Sequence, residues 1–205
     1  MTKDLSTEEK IKQAAKEIFQ QKGFAGAKTR DIAERAGINL ALLNYYFRSK
    51  EKLFGLVMED SVQELFLIIR TEVFDSESSL IEKIVKIVNT YFDVLKTNAN
   101  LPLFILGEIQ ANPDTFAERL NLPNDFLVNT ALYQQVKAQL KIAGIEHINP
   151  LHILINVLSL TIFPFIASPM IRTLSNFPDN NFDLFIEERR TQIPIWIKSM
   201  LKIED

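Results

Sequence analysis

The spacing of apolar residues restricts this chain more than any other feature. They recur three and four positions apart, and no run alternates apolar with polar side chains as a half-buried strand would. Ile11, Ala14, Ala15, Ile18 and Phe19 set the rhythm. Start and stop signals divide it into helices. Ser6-x-x-Glu9 and Ser79-x-x-Glu82 are capping-box patterns, and Lys22-Gly23 ends the first helix. Thr29 is expected to cap a short second helix, with Ile32, Ala33 and Ala36 inward and Gly37 as the turn behind it. A third short helix is expected over 40–47, with Leu43 and Phe47 one turn apart, and a long fourth over 49–74.

Further helices are expected over 79–96, from Pro102 onward, up to Gly144, over 150–167 and over 182–201. Breaks fall at Asn98-Ala99-Asn100, Asn112-Pro113, Leu122-Pro123-Asn124 and a polar loop over 176–181. Pro164 should bend or end its helix, and Pro194 should kink the last one. The fold class is therefore all-α. The expected division is a small three-helix domain over 1–50 and a larger helical bundle over 51–205.

With 205 residues, 47% of them hydrophobic, a packed core is within reach. The longest apolar run, 153–167, is shorter than the ~20 residues a membrane span needs and is interrupted by Asn156, Ser159, Thr161 and Pro164. A buried helix is the expectation, with no membrane partner. Cysteine is absent, which removes disulfides, thiolate metal sites and a cysteine nucleophile. That, and a charged N-terminal segment, fit a cytoplasmic protein. Charge is uneven: residues 1–54 hold 11 Lys or Arg against 7 Asp or Glu, and the remainder 12 against 19. A basic small unit beside an acidic large one suits a polyanion at the first alone, although scattered solvated charge gives the same sums.

Residues 29–47 form the most informative segment. A short helix, a Gly turn, apolar Ile38, polar Asn39 and a second short helix make a helix-turn-helix pattern. Ile32, Ala33, Ile38, Leu43 and Phe47 can share one small core, and Gly37 turns without steric cost. The second helix then stands outward, where a major groove can receive it. Plain three-helix cores use similar spacing.

The wording is more specific than the spacing. Thr29-x-Asp31-Ile32-Ala33-x-x-Ala36-Gly37-Ile38, followed by Leu43-x-x-Tyr46-Phe47-x-Ser49-Lys50-Glu51-x-Leu53, resembles the DNA-binding region of TetR-family regulators. The resemblance is close over 6–55; beyond it only length and helical plan are similar. It implies a homodimer on a double-stranded DNA operator, usually as a repressor, with a small-molecule effector.

It also implies roles. Thr29 and Lys50 would meet phosphates, and Tyr45 and Tyr46 would donate hydroxyls to the backbone, although either ring could instead be core. Leu40, Ala41, Leu42 and Asn44 occupy the base-reading positions. Asn44 can pair with adenine and Leu42 can touch a thymine methyl. Family members often carry Lys-Gly-Thr and Tyr where this chain has Leu40-Ala41-Leu42 and Asn44, so polar readout is thinner and the operator sequence is open. Lys28 and Arg30 could reach the DNA backbone or be merely solvated.

In the family the last two long helices pair with their copies. Here that implies an interface containing Leu154, Leu158, Ile162, Phe185, Arg189, Ile193 and Trp196. The family also implies an effector pocket that acts by shifting the fourth helix. Phe66, Phe92, Phe104 and Phe126 are its candidate walls for an apolar or amphipathic ligand, and each could instead be plain core.

Three other readings compete: an enzyme, a DNA-binding protein controlled by a protein partner with no small-molecule pocket, and a helical interaction module with a degenerate DNA surface. No nucleophile elbow, HExxH, phosphate loop or paired carboxylates in a Gly-rich context speaks for the enzyme, and no cofactor is expected. His147 and His152, five apart, make a poor metal pair. Glu187-Glu188-Arg189-Arg190 reads as a solvated face.

Overall fold

Ser6 accepts from the Glu9 amide at 3.2 Å while the Glu9 carboxylate accepts from the Ser6 amide at 2.8 Å, and this reciprocal cap opens α1 (Thr7–Gly26). The computed structural model describes residues 6–111, 113–175 and 179–204, and all regular structure among them is helical. Gly23, at φ 66°, interrupts α1 at the position the sequence marks as its end. The second helix, α2 (Thr29–Arg35), begins one residue earlier than expected. Lys28 is its N-cap and Thr29 its first helical residue, so Thr29 does not cap it. The extended backbone of Lys28, whose carbonyl accepts from the Ile32 amide at 3.3 Å, sets that boundary.

Gly37, at φ 69°, ends α2 in a Schellman turn: its amide bonds Glu34 O and the Ile38 amide bonds Ala33 O. Asn39 then caps α3 (Leu40–Tyr46) by accepting from the Leu42 amide at 2.8 Å. Ser49 likewise caps α4 (Lys50–Phe74), whose 25 residues span about 37 Å. Its first turns bury Leu53 and Val57 in the small unit, and its later ones enter the bundle. Ion pairs fasten α1 along it, Lys12–Asp60 and Lys16–Glu64, both at 2.6 Å.

The remaining helices are α5 (Leu80–Thr97), α6 (Leu101–Ala111), α7 (Pro113–Arg119), α8 (Ala131–Ile142), α9 (Pro150–Ile166), α10 (Ser168–Leu174) and α11 (Asp179–Met200). Helix α5 is the hub, packed against α4, α8, α9 and α11. It carries the capping box read from Ser79 and Glu82, and it buries Ile84, Val88, Phe92 and Leu95. Tyr91 is buried there too, and burial pushes its hydroxyl up to about 12.

The corner between α4 and α5 is polar. Lys83, fully buried, donates to the Asp75 carbonyl and lies 3.8 Å from its carboxylate. Asp75 also accepts from the Ser78 hydroxyl and the Glu77 amide, which lowers its carboxyl to about 2. Gln135 of α8 donates to the Ser78 carbonyl at 2.9 Å and ties in a third helix.

Helix α9 ends two residues after Pro164, and a 69° bend leads into α10, which the sequence reading did not foresee. Pro169 suits the first turn of that new helix. The loop expected over 176–181 is corrected at its end: 179–181 are already helical, and 176–178 lie outside the described residues, as does Asn112. Helix α11 continues through Pro194. No single helix among the described residues is long and apolar enough to cross a membrane.

Candidate nucleic-acid interface

Helix α3 has two unlike faces. Leu43 and, just past its end, Phe47 are buried against Ile32 and Ala33. On the opposite side Ala41, Asn44 and Tyr45 are exposed at helical spacing, with Leu40 and Leu42 half-buried at the margins. Tyr45 is 80% exposed, and its ring meets Tyr46 edge-on at 5.5 Å. Tyr46 is exposed as well, so neither ring belongs to the core. The side-chain amide of Asn44 has no hydrogen-bond partner among the described residues, which leaves its donor and acceptor pair free for a base edge.

Basic residues of the small unit sort into two groups. Lys22 pairs with Asp31 at 2.6 Å and Arg35 with Glu17 at 2.5 Å, so their charge is offset locally. The Lys22 contact lowers the Asp31 carboxyl, with a smaller contribution from Lys28. Arg30, Arg48 and Lys52, all exposed, have no ion-pair partner among the described residues. Arg30 lies in the first turn of α2, Arg48 just beyond α3 and Lys52 in the first turn of α4, so the uncompensated cations bracket the outward helix. Sequence reasoning passed over Arg48 and Lys52. Their flanking positions around Ser49 and Lys50 were visible, but which cations lack partners is a property of the folded chain.

Lys50, expected to meet phosphate, is half-buried at the start of α4. Its ammonium donates to the carbonyls of Phe24 (2.9 Å) and Ala27 (3.2 Å) and lies 4.4 Å from the Phe24 ring centroid. Two of its three donors therefore close the turn after Gly23, and one is left over. Thr29 is half-buried nearby, at the start of α2.

The four phenylalanines chosen as pocket walls do not converge. Phe92 is fully buried and stacks edge-on with Phe165; Phe126 does so with Phe74, and Phe66 with Phe116. Phe104 reaches a void between α4, α6 and α7 of about 10 Å³, room for roughly one water. Each ring instead packs against a different neighbour, which corrects the shared-pocket expectation.

The proposed interface residues also divide. Leu154 (8% exposed) and Ile193 (0%) point into their own bundle, a correction to the expectation that they face outward. Leu158 is exposed, and Ile162, Phe185, Arg189 and Trp196 are half-buried. The open faces of α9 and α11 carry Ile155, Leu158, Phe163, Leu184 and Ile195. The charged run 187–190 is less solvated than expected. Arg189 donates to the Leu160 carbonyl and lies over Trp196, Arg190 reaches Asn89 and Asp93, and Glu187 pairs with Lys96.

Comparison with known proteins agrees with this geometry. The chain is 25% identical over 98% of its length to a Bacillus subtilis protein described as a probable HTH-type transcriptional regulator, YttP, 97% of which is covered. It is 34% identical over 88 residues, 42% of either chain, to the HTH-type transcriptional repressor NicS of Pseudomonas putida. Among solved structures, Salmonella enterica GusR shares the fold with a TM-score of 0.54 at 19% identity, covering 98% of both chains. Residues 11–57 match the family model described as bacterial regulatory proteins, tetR family, the stretch that holds most of α1, all of α2 and α3 and the start of α4. Residues 11–57 are thus similar to the DNA-binding segment of tetR-family regulators, and the whole chain is similar in length and sequence to a probable transcriptional regulator.

Proposed function

We propose that the chain is a ligand-responsive repressor that binds a roughly palindromic operator as a homodimer. In this reading residues 1–50 hold the DNA, and residues 51–205 dimerise and sense. Helix α3 enters the major groove. Ala41, Asn44 and the margins Leu40 and Leu42 face base edges. Tyr45, Tyr46 and Thr29 meet the backbone, together with Arg30, Arg48 and Lys52, and the spare donor of Lys50 can join them. The supporting observation is the coincidence on one surface of an outward helix and cations that no described residue offsets. Dimerisation is proposed through the open faces of α9 and α11, where Leu158, Ile162, Phe185, Arg189 and Trp196 join Ile155, Leu184 and Ile195.

Footprinting on the gene's own upstream region tests this. The expected result is a protected inverted repeat whose affinity falls steeply with salt, as phosphate contacts require. No protection at low salt, or protection of a single half-site, counts against it. One observation favours a second reading, control by a protein partner: the void beside α4 is too small for a metabolite. A ligand would have to use an open groove instead.

A further inference from the structure

Glu59, Gln63, Phe66 and Arg70 of α4 fall along one stripe roughly 16 Å long, with Leu67 beside it. A groove of about 330 Å³ lies against the C-terminal part of this stripe. Phe66 and Leu67 form its apolar side, and Leu120 and Leu122, just past α7, face them. That second wall is preformed. Asn121 takes a left-handed backbone at φ 51°, and the turn is closed by Asn121 N to Glu118 O at 3.0 Å and Leu122 N to Ala117 O at 2.9 Å.

The two ends of the groove differ in charge. One end is lined by Arg119, whose guanidinium is held outside the groove by Glu59 at 3.2 Å and by Glu108, so its charge is already offset. Arg70, exposed at the other end, has no ion-pair partner among the described residues. Leu67 is 69% exposed on the rim. An elongated guest is thus offered apolar walls, one cation without an ion-pair partner among the described residues and, at the far end, a guanidinium already held by two carboxylates. The volume lies at the lower end of the range for small-molecule sites.

We infer that this groove binds a carboxylate amphiphile of medium chain length, its head on Arg70 and its chain between Phe66, Leu67, Leu120 and Leu122. The inference rests on the ligand-responsive reading and gives that ligand a chemistry. Guanidinium and carboxylate form paired, charge-assisted hydrogen bonds, so the head is discriminated by charge and the chain only by area. The guest would lie on α4, which is continuous with the small unit carrying α3.

Titration calorimetry of the full chain with octanoate and with octanol tests the inference. Octanoate is expected to bind at least about tenfold more tightly, and R70Q to abolish that difference. L67N, at an exposed position, is expected to weaken both. Equal binding of acid and alcohol, an R70Q variant that keeps the preference, or no heat from either probe overturns the assignment. A gel shift on the operator separates this from the broader reading. Octanoate that binds without releasing DNA supports the groove and counts against ligand control. Release by another metabolite, with octanoate inert, overturns the groove alone.

Discussion

The outward surfaces of the small N-terminal unit and of the bundle expose opposite kinds of side chain. On α3 the open face is Ala41, Asn44 and Tyr45, bordered by Arg30, Arg48 and Lys52, which have no ion-pair partner among the described residues. On α9 and α11 it is Ile155, Leu158, Phe163, Leu184 and Ile195. Each is an unfinished surface, and the chemistry states what finishes it. Uncompensated cations around a polar ridge suit a polyanion that brings its own negative charge. Large aliphatic side chains on two adjacent helices suit burial against like surface, which a second copy supplies by symmetry. One surface gains little from a protein partner and the other gains little from DNA.

The sharpest way to break the contrast is to give the bundle face the character of the other. Leu158→Glu combined with Ile195→Glu places charges at positions 38% and 55% exposed in the single chain, so the fold should tolerate them. Sedimentation should then report a species of 23.5 kDa. Operator affinity should fall by about 100-fold, because two tethered half-site contacts become two independent ones. A variant that stays dimeric places the interface elsewhere, and a wild-type chain that is already monomeric removes the contrast.

The second test sharpens the N-terminal side by separating a cation that holds the fold from one that holds DNA. Lys50→Met leaves the Phe24 and Ala27 carbonyls without their donor and should cost about 1–3 kcal/mol in thermal unfolding. Arg48→Ala removes a solvated charge; it should leave the melting temperature in place and lower the salt slope of DNA binding by about 1. If the two variants exchange these signatures, Lys50 is a phosphate contact first and a turn-closing group second.

What the sequence made legible follows the same division. Gly37, Asn39, Ser49 and Ser79 act through hydrogen bonds within a few residues, so their helix boundaries could be read locally, and the helix-turn-helix followed from them. The rotational setting of α9 could not. Apolar residues occur on every side of the helix, and its buried arc, Ile153, Leu154, Val157, Thr161 and Pro164, is chosen by its neighbours α5, α6, α8 and α11. Leu154 and Ile193 were therefore assigned outward and lie inward. The turn-closing contacts of Lys50 were hidden for a related reason: its acceptors are 26 and 23 residues away, and spacing carries no record of them. Pro164 marked the end of α9, but the new start at α10 depends on Pro169 opening a turn after a 69° bend.

The smallest expected effect lies at the corner between α4 and α5, on neither outward surface. Asp75 accepts from Ser78 and the Glu77 amide and faces buried Lys83, and these contacts lower its carboxyl from 3.8 to about 2. Between those values the unfolded chain binds a proton that the folded chain does not, so acid favours unfolding there. Stability supplied by Asp75 is complete above its unfolded value and drains away as pH falls through 3.8 toward about 2. Asp75→Asn keeps the shape and removes the titration. Its melting temperature should lie slightly below wild type near neutral pH, and the gap should close as the pH is lowered through that window. A gap that stays constant with pH would mean that Asp75 holds the corner through geometry alone, with Lys83 indifferent to the charge beside it.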